Sequence, residues 1–262
     1  MSTQQLFYRT TVPVSAERHR DLAVRTGDSY AFAAGVNSVP LVAAEFAEAA
    51  AEYPIIFAGT GENIFPAVIL GIRDNENLMV DADGSWRGRY IPAFIRRYPF
   101  VFAEDSAAGT LTLVIDESFP GCNREGRGER LFDADGAQTQ YLRNLLAFLQ
   151  EYQARMRRTQ GFGRRLAELG LLQPMQAQFT LGDGQQAALS GFQVVDRQKL
   201  KALPAETLAR MMAEDELECT FLHLASLRHF QGLIGRAGPR QTAPAAPAAA
   251  PAEAPPAGAT TH

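Results

Sequence analysis

The chain has 262 residues, a hydrophobic fraction of 46%, a charged fraction of 21% and a formal net charge of -4. This length can bury a full core, and the mild acidity argues against a nucleic-acid partner, because nucleic-acid-binding domains carry a basic surface. The longest nearly unbroken apolar run, residues 65–72, is far shorter than the about 20 residues of a membrane-spanning helix, so we do not expect an integral membrane protein.

The two cysteines, Cys122 and Cys219, form neither a disulfide framework nor a CxxC metal motif. The N-terminal sequence lacks the apolar segment of a secretory signal peptide. We therefore expect a soluble protein in a reduced, cytoplasmic setting.

The first half of the chain predicts a helix followed by several strands. An apolar pattern with an early proline predicts a helix that starts at residue 38 and stops before Pro54. A second, short helix is predicted at residues 92–97. Runs rich in β-branched and aromatic residues predict strands at 53–58, 66–72, 77–81 and 110–117.

The second half follows a glycine-rich charged loop at 120–130, which marks a soft subdivision near residue 120. Helical spacing of apolar residues predicts an amphipathic helix at 142–156, and a glycine pair at 161 and 163 predicts a turn before a shorter helix. The later elements are predicted to be strands at 176–181 and 188–195 with a turn at 182–184, then helices opened by Pro204 and at 220–235. Because no regular βαβ order appears, we predict an α+β fold with a mixed, mainly antiparallel sheet and flanking helices.

The C-terminal segment, residues 237–262, has a different composition from the rest of the chain. Seventeen of its 26 residues are Ala or Pro, and it contains no Leu, Ile, Val or aromatic residue. Such a composition predicts a disordered tail, which is either a tether or docking tail or a dispensable overhang. Residues 1–236 are then expected to form a single domain.

The motifs that bind metals or cofactors are missing from the sequence. The tetrapeptide Asp-Ala-Asp-Gly occurs at 81–84 and at 133–136, but each copy lacks further calcium ligands and is better explained as a tight turn. Nucleotide-binding and nucleophile-elbow motifs are also missing. We therefore expect neither a metal nor a cofactor.

Four residues are candidates for chemistry, although their spacing does not bring them together in the sequence. Cys122 lies near two arginines that would activate a thiol, and Asp116, Glu117 and His19 could act as acids or bases. His19 is also a candidate binding residue, and the alternative is a solvated or capping histidine. The sequence identifies no reaction.

The segment 77–102 carries the strongest indication of a binding surface. Trp86, Tyr90, Phe94 and Tyr98 recur every four residues and are interleaved with arginines. Aromatic residues mixed with arginine are typical of binding hot spots, whereas an aromatic stripe can equally pack inside a core. The candidate binding residues are Trp86, Tyr90, Arg96, Arg97, Tyr98 and His19.

Several segments together resemble the SapC family. They are PVSAERHRDL at 13–22 and the stretches at 30–57, 71–102, 131–142 and 221–234. The resemblance implies an association with bacterial surface layers and the envelope, and its relatives are often encoded near TonB-dependent receptors and tryptophan-halogenase-like proteins. It implies no catalytic residues, and an unrelated peptide-transport permease shares the name.

Three functions remain open. The first is a soluble, non-catalytic binding or accessory protein in envelope or surface-protein biogenesis, with a protein or peptide partner. The second is an enzyme with an unrecognised site that acts on a peptide or protein. The third is a surface-layer component exported without a cleaved signal. The sequence does not indicate the oligomeric state.

Overall fold

The computed structural model describes residues 6–105, 110–180, 184 and 186–237. These residues form an α+β fold with three antiparallel sheets and eight α-helices, which confirms the predicted fold class. The strands are Thr11–Pro13 (β1), Ala23–Val24 (β2), Ser38–Pro40 (β3), Ile55–Ala58 (β4), Phe65–Ile69 (β5), Phe100–Asp105 (β6), Thr110–Asp116 (β7), Cys122–Asn123 (β8), Glu129–Arg130 (β9), Leu172–Thr180 (β10) and Gln186–Val195 (β11). The helices are Ala16–His19 (α1), Phe46–Ala49 (α2), Ala93–Arg96 (α3), Gln140–Glu168 (α4), Arg197–Lys201 (α5), Ala205–Ala213 (α6), Glu216–Ser226 (α7) and Phe230–Arg236 (α8).

The largest sheet has five strands in the order β10-β11-β4-β5-β3, and its strands β4 and β5 are buried on both faces. Alternate residues of a strand point to opposite faces, so the two faces of β4 can be followed residue by residue. Ile55 and Phe57 join the large apolar cluster that also contains residues of α4. Ile56 joins a second cluster together with Phe230 and Leu233 of α8. Burial of both faces explains why β4 is a continuous apolar run.

His223 of α7 joins two neighbouring strands of this sheet. Its side chain is fully buried, its Nε2 accepts a hydrogen bond of 3.0 Å from the backbone N–H of Val195, and its Nδ1 lies 2.8 Å from the carbonyl oxygen of Ile55. An acceptor at Nε2 places the proton of the neutral ring on Nδ1, which then donates to Ile55. Burial lowers the pKa of His223 to about 4, so the ring stays neutral at physiological pH.

Helix α4 is one continuous helix of 29 residues, so the prediction of two shorter helices separated by a turn is wrong. The side chain of Thr139 caps its first turn by accepting a hydrogen bond from the backbone N–H of Leu142. Gly163 lies inside the helix. A glycine fits this position because a Cβ there would approach within 2.5 Å of the carbonyl oxygen of Ile64. The glycine marks a close approach between helix and neighbouring chain, not a turn.

Other predictions of secondary structure were partly wrong. Residues 38–40 form strand β3, and helical structure begins only with the 3-10 turn Ala43–Glu45, because backbone pairing with β5 overrides the local proline signal. Residues 77–81 contribute one isolated bridge, Val80 to Trp86, and no strand.

The strands at β4, β5, β7 and β11 and the helices at α3 and α6 are confirmed. The predicted last helix is interrupted by a 3-10 turn, Leu227–His229.

Both Asp-Ala-Asp-Gly motifs form the predicted turns. In the first, the backbone N–H of Gly84 donates to the carbonyl oxygen of Asp81 at 2.9 Å, and Gly84 has a φ of 85°. In the second, Gly136 donates to Asp133 at 3.1 Å with a φ of 83°. The positive φ accounts for glycine at the fourth position of each motif.

Two predictions fall on residues outside the described part of the chain. Residues 182 and 183 of the predicted hairpin turn lie there, as do residues 238–262 of the predicted tail. Ala237 is described and is buried in the second apolar cluster. Within the described ranges, no helix has both the length and the apolar character that crossing a membrane requires.

The two small sheets have the orders β1-β7-β6 and β8-β2-β9. Their connecting segments meet beside the β7–β8 connection, which carries residues 117–121. This junction of short connections, and not the large sheet, holds the aromatic recess described below.

Candidate functional site

A cleft of about 480 Å³ opens where the segments that flank β1, β2, β6 and β7 meet. Four aromatic residues contribute its floor: Phe7, Phe32, Tyr98 and Phe119. Charged and polar residues contribute its rim: Arg9, Arg25, Asp28, Asn123 and Arg127. These nine residues are called the aromatic cleft. Its volume is in the range of natural small-ligand and peptide side-chain sites.

The floor of the aromatic cleft is a packed group of rings. Phe32 stacks on Tyr98 with a centroid distance of 4.2 Å, and Phe119 meets Tyr98 edge-on at 5.3 Å. Phe7 contacts Phe32 edge-on at 5.3 Å. Phe32 is the only half-buried ring of the four, so it offers the most surface to a ligand. Such contacts fix the rings before any ligand arrives.

Asp116 lies behind the floor and orients it. The carboxylate is fully buried, and its Oδ2 accepts hydrogen bonds from the backbone N–H of Arg9 at 2.7 Å and from the hydroxyl of Tyr98 at 3.3 Å. Its Oδ1 accepts from the backbone N–H of Thr10 at 3.2 Å and from the hydroxyl of Ser118 at 2.6 Å. Burial opposes ionisation, but the hydrogen bonds from Ser118 and the backbone outweigh it and lower the pKa of Asp116.

The glycine-rich loop beside the aromatic cleft is ordered by one side chain. The Nδ2 of Asn123 donates to the carbonyl oxygens of Arg127 at 2.7 Å and Gly121 at 3.1 Å, and its Oδ1 accepts from the backbone N–H of Arg127 at 3.0 Å. A Cβ at Gly121 would lie 2.2 Å from the carbonyl oxygen of Arg25, so the loop packs directly on the neighbouring backbone. The rim is therefore preorganised despite its glycine content.

The charges on the rim are only partly compensated. Arg25 forms an ion pair with Asp28, and Arg127 forms one with Glu125 at 2.8 Å. Arg9 is exposed, and its guanidinium has no ion pair among the described residues. Within the described part of the chain, the aromatic cleft thus has one rim arginine without an ion pair.

The buried His19 pairs with the half-buried Glu117 close to Asp116. The Nε2 of His19 lies 3.2 Å from Oε1 of Glu117, while its Nδ1 contacts the backbone of Ser15. Arg18 holds the other side of Glu117 through a hydrogen bond of 2.6 Å. Burial lowers the pKa of His19, and the hydrogen bond from Arg18 lowers the pKa of Glu117. His19 has no exposed surface, so its ring is not accessible to a ligand.

Cys122 also belongs to this region. Its Sγ lies 3.9 Å from the carbonyl oxygen of Asp116. Burial, reinforced by the charges of Glu117 and Asp116, raises the pKa of Cys122 to about 12. The sulfur is therefore a thiol at physiological pH, although the sequence placed two arginines near it. All four candidates for chemistry lie in one region, but the surroundings suppress the nucleophilicity of the thiol.

Trp86 and Tyr90 belong to a separate, half-buried network. The indole Nε1 of Trp86 donates to the hydroxyl of Tyr53 and to the carbonyl oxygen of Tyr90, both at 3.1 Å. The hydroxyl of Tyr90 donates to Oε1 of the buried Glu45 at 2.5 Å, and the backbone N–H of Ala93 donates to the same oxygen at 2.7 Å. The polar atoms of both aromatic residues are thus occupied within the protein.

Arg96 and Arg97 differ in environment although they are adjacent. Arg96 is exposed, donates from Nε to the carbonyl oxygen of Ile91 at 2.9 Å, and lies 5.9 Å from the centroid of the Tyr90 ring. Arg97 is only 3% exposed, and its guanidinium lies 4.2 Å from the Phe94 ring and 5.1 Å from the Tyr152 ring. Trp86, Tyr90 and Arg96 therefore lie together, whereas Arg97 faces the interior.

Of the six residues predicted to bind, only Tyr98 lines the aromatic cleft. Sequence reasoning missed Arg9, Phe32 and Phe119, which come from three distant segments. The glycine-rich loop at 120–130, which the sequence marked as a subdivision, contributes Asn123 and Arg127 to the rim. The binding roles of Trp86, Tyr90, Arg96, Arg97, Tyr98 and His19 stay predictions.

The α+β fold and the aromatic cleft define a protein with a preformed recess and no recognisable catalytic motif. The SapC family model matches residues 14–233, so the chain belongs to the SapC family. This confirms the resemblance that the sequence segments indicated. No curated protein and no solved structure matches the chain.

Proposed function

We propose that this protein is a non-catalytic binding or accessory protein that captures a protein or peptide partner in the aromatic cleft. The observation that carries the proposal is the combination of a fixed aromatic floor with an arginine rim. Aromatic rings and arginine supply most of the binding free energy at protein interfaces. Because the floor and loop are ordered internally, little conformational entropy would be lost on binding.

The state of the nearby titratable groups favours binding over catalysis. A nucleophilic cysteine needs a lowered pKa, whereas the pKa of Cys122 is raised to about 12. A general acid or base needs access to its substrate, whereas His19 and Asp116 are fully buried. Both oxygens of Asp116 already accept hydrogen bonds within the protein.

The biological setting is also part of the proposal. We infer a cytoplasmic, soluble role in bacterial envelope or surface-protein biogenesis, supported by membership of the SapC family. We further propose that residues 1–236 act as one domain, because a single apolar cluster includes residues from Phe7 to Met211. Cell fractionation tests the location, and recovery only at the cell surface would instead favour a surface-layer component.

The test is partner recovery from source cells with matched variants. Arg9→Ala combined with Arg127→Ala is expected to abolish recovery, because it removes two rim cations without touching the core. Arg155→Gln on the distant helix α4 is the control and is expected to recover the partner normally. Melting temperatures should be equal in all variants, since these side chains are exposed.

A third variant separates the aromatic cleft from the other candidate surface. Arg96→Ala changes the exposed cation beside Tyr90 and is expected to leave recovery intact. Loss of the partner in Arg96→Ala alone would move the site to the Trp86 network. Recovery that survives both sets of substitutions would contradict binding at either surface. The double variant Arg96→Ala, Arg97→Ala is less informative, because Arg97 is buried and its removal would disturb the fold.

A further inference from the structure

The floor of the aromatic cleft favours one kind of apolar group. Its four rings meet at angles of 29° to 86°, so they present both ring faces and ring edges. An aromatic side chain can complete such a cluster by stacking or by an edge-on contact, which adds free energy beyond the burial of its area. Phe32 is the ring that retains exposed surface for this contact.

The rim of the aromatic cleft favours a single negative charge beside that group. Two of its three arginines are already paired with Asp28 and Glu125. Of the three rim arginines, Arg9 alone has no ion pair among the described residues. The hydrogen bond from its backbone N–H to Asp116 fixes the position of its backbone at the rim. The single charge of Arg9 matches a carboxylate, whereas a phosphate group carries about −1.5 to −2 charges at neutral pH.

We propose that the aromatic cleft recognises an aromatic side chain with a carboxylate next to it, the ring lying against Phe32 and the carboxylate against Arg9. This inference rests on the proposed function, because it names the partner chemistry of the same site. In a peptide, this pair of groups arises from an aromatic residue beside an acidic one, or from an aromatic residue at a free C-terminus.

The experiment uses the full-length protein and four N-acetylated peptides in calorimetric titrations at low salt. N-acetyl-Phe-Asp amide carries both groups, whereas N-acetyl-Phe-Asn amide lacks the charge and N-acetyl-Ala-Asp amide lacks the ring. N-acetyl-Gly-Phe with a free carboxylate represents the C-terminal source. The Phe-Asp peptide is expected to bind about threefold more tightly than the Phe-Asn peptide, because Arg9 is exposed and an exposed ion pair contributes modestly. It is also expected to bind at least about threefold more tightly than the Ala-Asp peptide, because it adds the aromatic contact with the floor.

Substitution of Arg9 identifies the cation. Arg9→Gln is expected to abolish the preference for Asp over Asn and to leave the affinity for the Phe-Asn peptide unchanged. The control Arg155→Gln should keep the preference. Added salt should reduce the preference in the wild-type protein, because the Debye length shrinks to about 3 Å at 1 M. Relative affinities of the Phe-Asp and free Gly-Phe peptides show which source of the carboxylate is preferred.

The outcomes separate the two proposals. Equal affinity for the Phe-Asp, Phe-Asn and Ala-Asp peptides, or no binding of the Phe-Asp peptide, overturns this ligand chemistry. If partner recovery still depends on Arg9 and Arg127, the proposed function stands and only the ligand class is wrong. If recovery is also indifferent to those substitutions, both proposals fail.

Discussion

The hydroxyl of Tyr98 donates a hydrogen bond of 3.3 Å to Oδ2 of Asp116, and this bond joins the floor of the aromatic cleft to the end of strand β7. The same oxygen accepts the backbone N–H of Arg9, so one buried carboxylate positions both a floor ring and the rim cation. The carboxylate is thus a positioning group for the cleft and a structural group for the fold.

Asp116→Asn should therefore reduce stability strongly. The amide keeps one acceptor oxygen but turns the other into a donor, so at least one set of buried N–H and O–H donors loses its partner. The expected loss in the free energy of unfolding is about 2–4 kcal/mol, measured by urea denaturation at neutral pH. Asp135→Asn, in the exposed second turn motif, should change stability little. Equal stability of both variants would contradict the structural role of Asp116.

The lowered pKa of Asp116 also sets a direction for acid unfolding. A carboxyl group whose folded pKa is below its unfolded value stabilises the fold above that unfolded value, and the contribution is lost as the pH falls through the folded pKa. Glu117 acts in the same direction because its pKa is lowered too. The Asp116→Asn protein should accordingly show a shallower loss of stability below about pH 4.

The lowered pKa of His223 predicts a second pH dependence of the free energy of unfolding, at a higher pH than that of Asp116. Burial lowers its pKa from 6.5 to about 4, so between these values the unfolded chain binds more protons than the folded one. Stability should rise with pH across this window, by about 3 kcal/mol from pH 4 to pH 7 for a shift of this size. His19 contributes in the same direction. His223→Gln should remove most of this slope in urea denaturation at a series of pH values, whereas His229→Gln should keep it.

Loss of the hydroxyl should change the stability of the protein in opposite directions at two buried tyrosines. The hydroxyl of Tyr152 is buried without a hydrogen-bond partner in the part of the chain that the structure describes, whereas the hydroxyl of Tyr53 donates to Tyr90 and accepts from Trp86. Tyr152→Phe should leave stability unchanged or raise it by about 1 kcal/mol, and Tyr53→Phe should lower it by about 1–2 kcal/mol. A clear loss of stability in Tyr152→Phe, measured by urea denaturation, would contradict the isolation of that hydroxyl.

Much of the fold could be predicted from the sequence because its signals are local. Strands β4 and β5 are apolar runs bounded by turn residues, and burial on both faces produces such runs. Strand β7 is buried only from Val114 to Asp116, and its β-branched residues made it recognisable. Strand β6 was missed because its last residues are acidic and only three residues separate it from helix α3. Strand β3 was misassigned as helix because of its proline. Its pairing partner, β5, is distant in sequence, and the local preference of proline contains no information on such pairing.

The aromatic cleft was less accessible to sequence reasoning. Arg9, Phe32 and Phe119 come from segments that periodicity cannot place beside one another, and none has an unusual local context. The aromatic stripe at residues 86–98 was recognised, but a spacing of four residues does not reveal which members face the interior. The interleaved arginines show the same difficulty. Arg96 is exposed, whereas the adjacent Arg97 is enclosed by Phe94 and Tyr152.

Two glycines of helix α4 provide the most direct test of its continuity and of its close packing. At Gly161 an added Cβ meets no atom within 4 Å, whereas at Gly163 it would lie 2.5 Å from the carbonyl oxygen of Ile64. In a continuous helix Gly161→Ala should raise the free energy of unfolding by about 0.5–1 kcal/mol, because alanine has the higher helix propensity.

Gly163→Ala has the same gain in propensity but must push the helix away from Ile64. It should therefore lower stability, by about 1–3 kcal/mol for an overpacked contact of this kind. Urea denaturation of the two single variants makes the comparison, since each serves as the control for the other. If both substitutions destabilise the protein equally, a turn separates two helices at this point. If both stabilise it, the helix does not pack closely on Ile64.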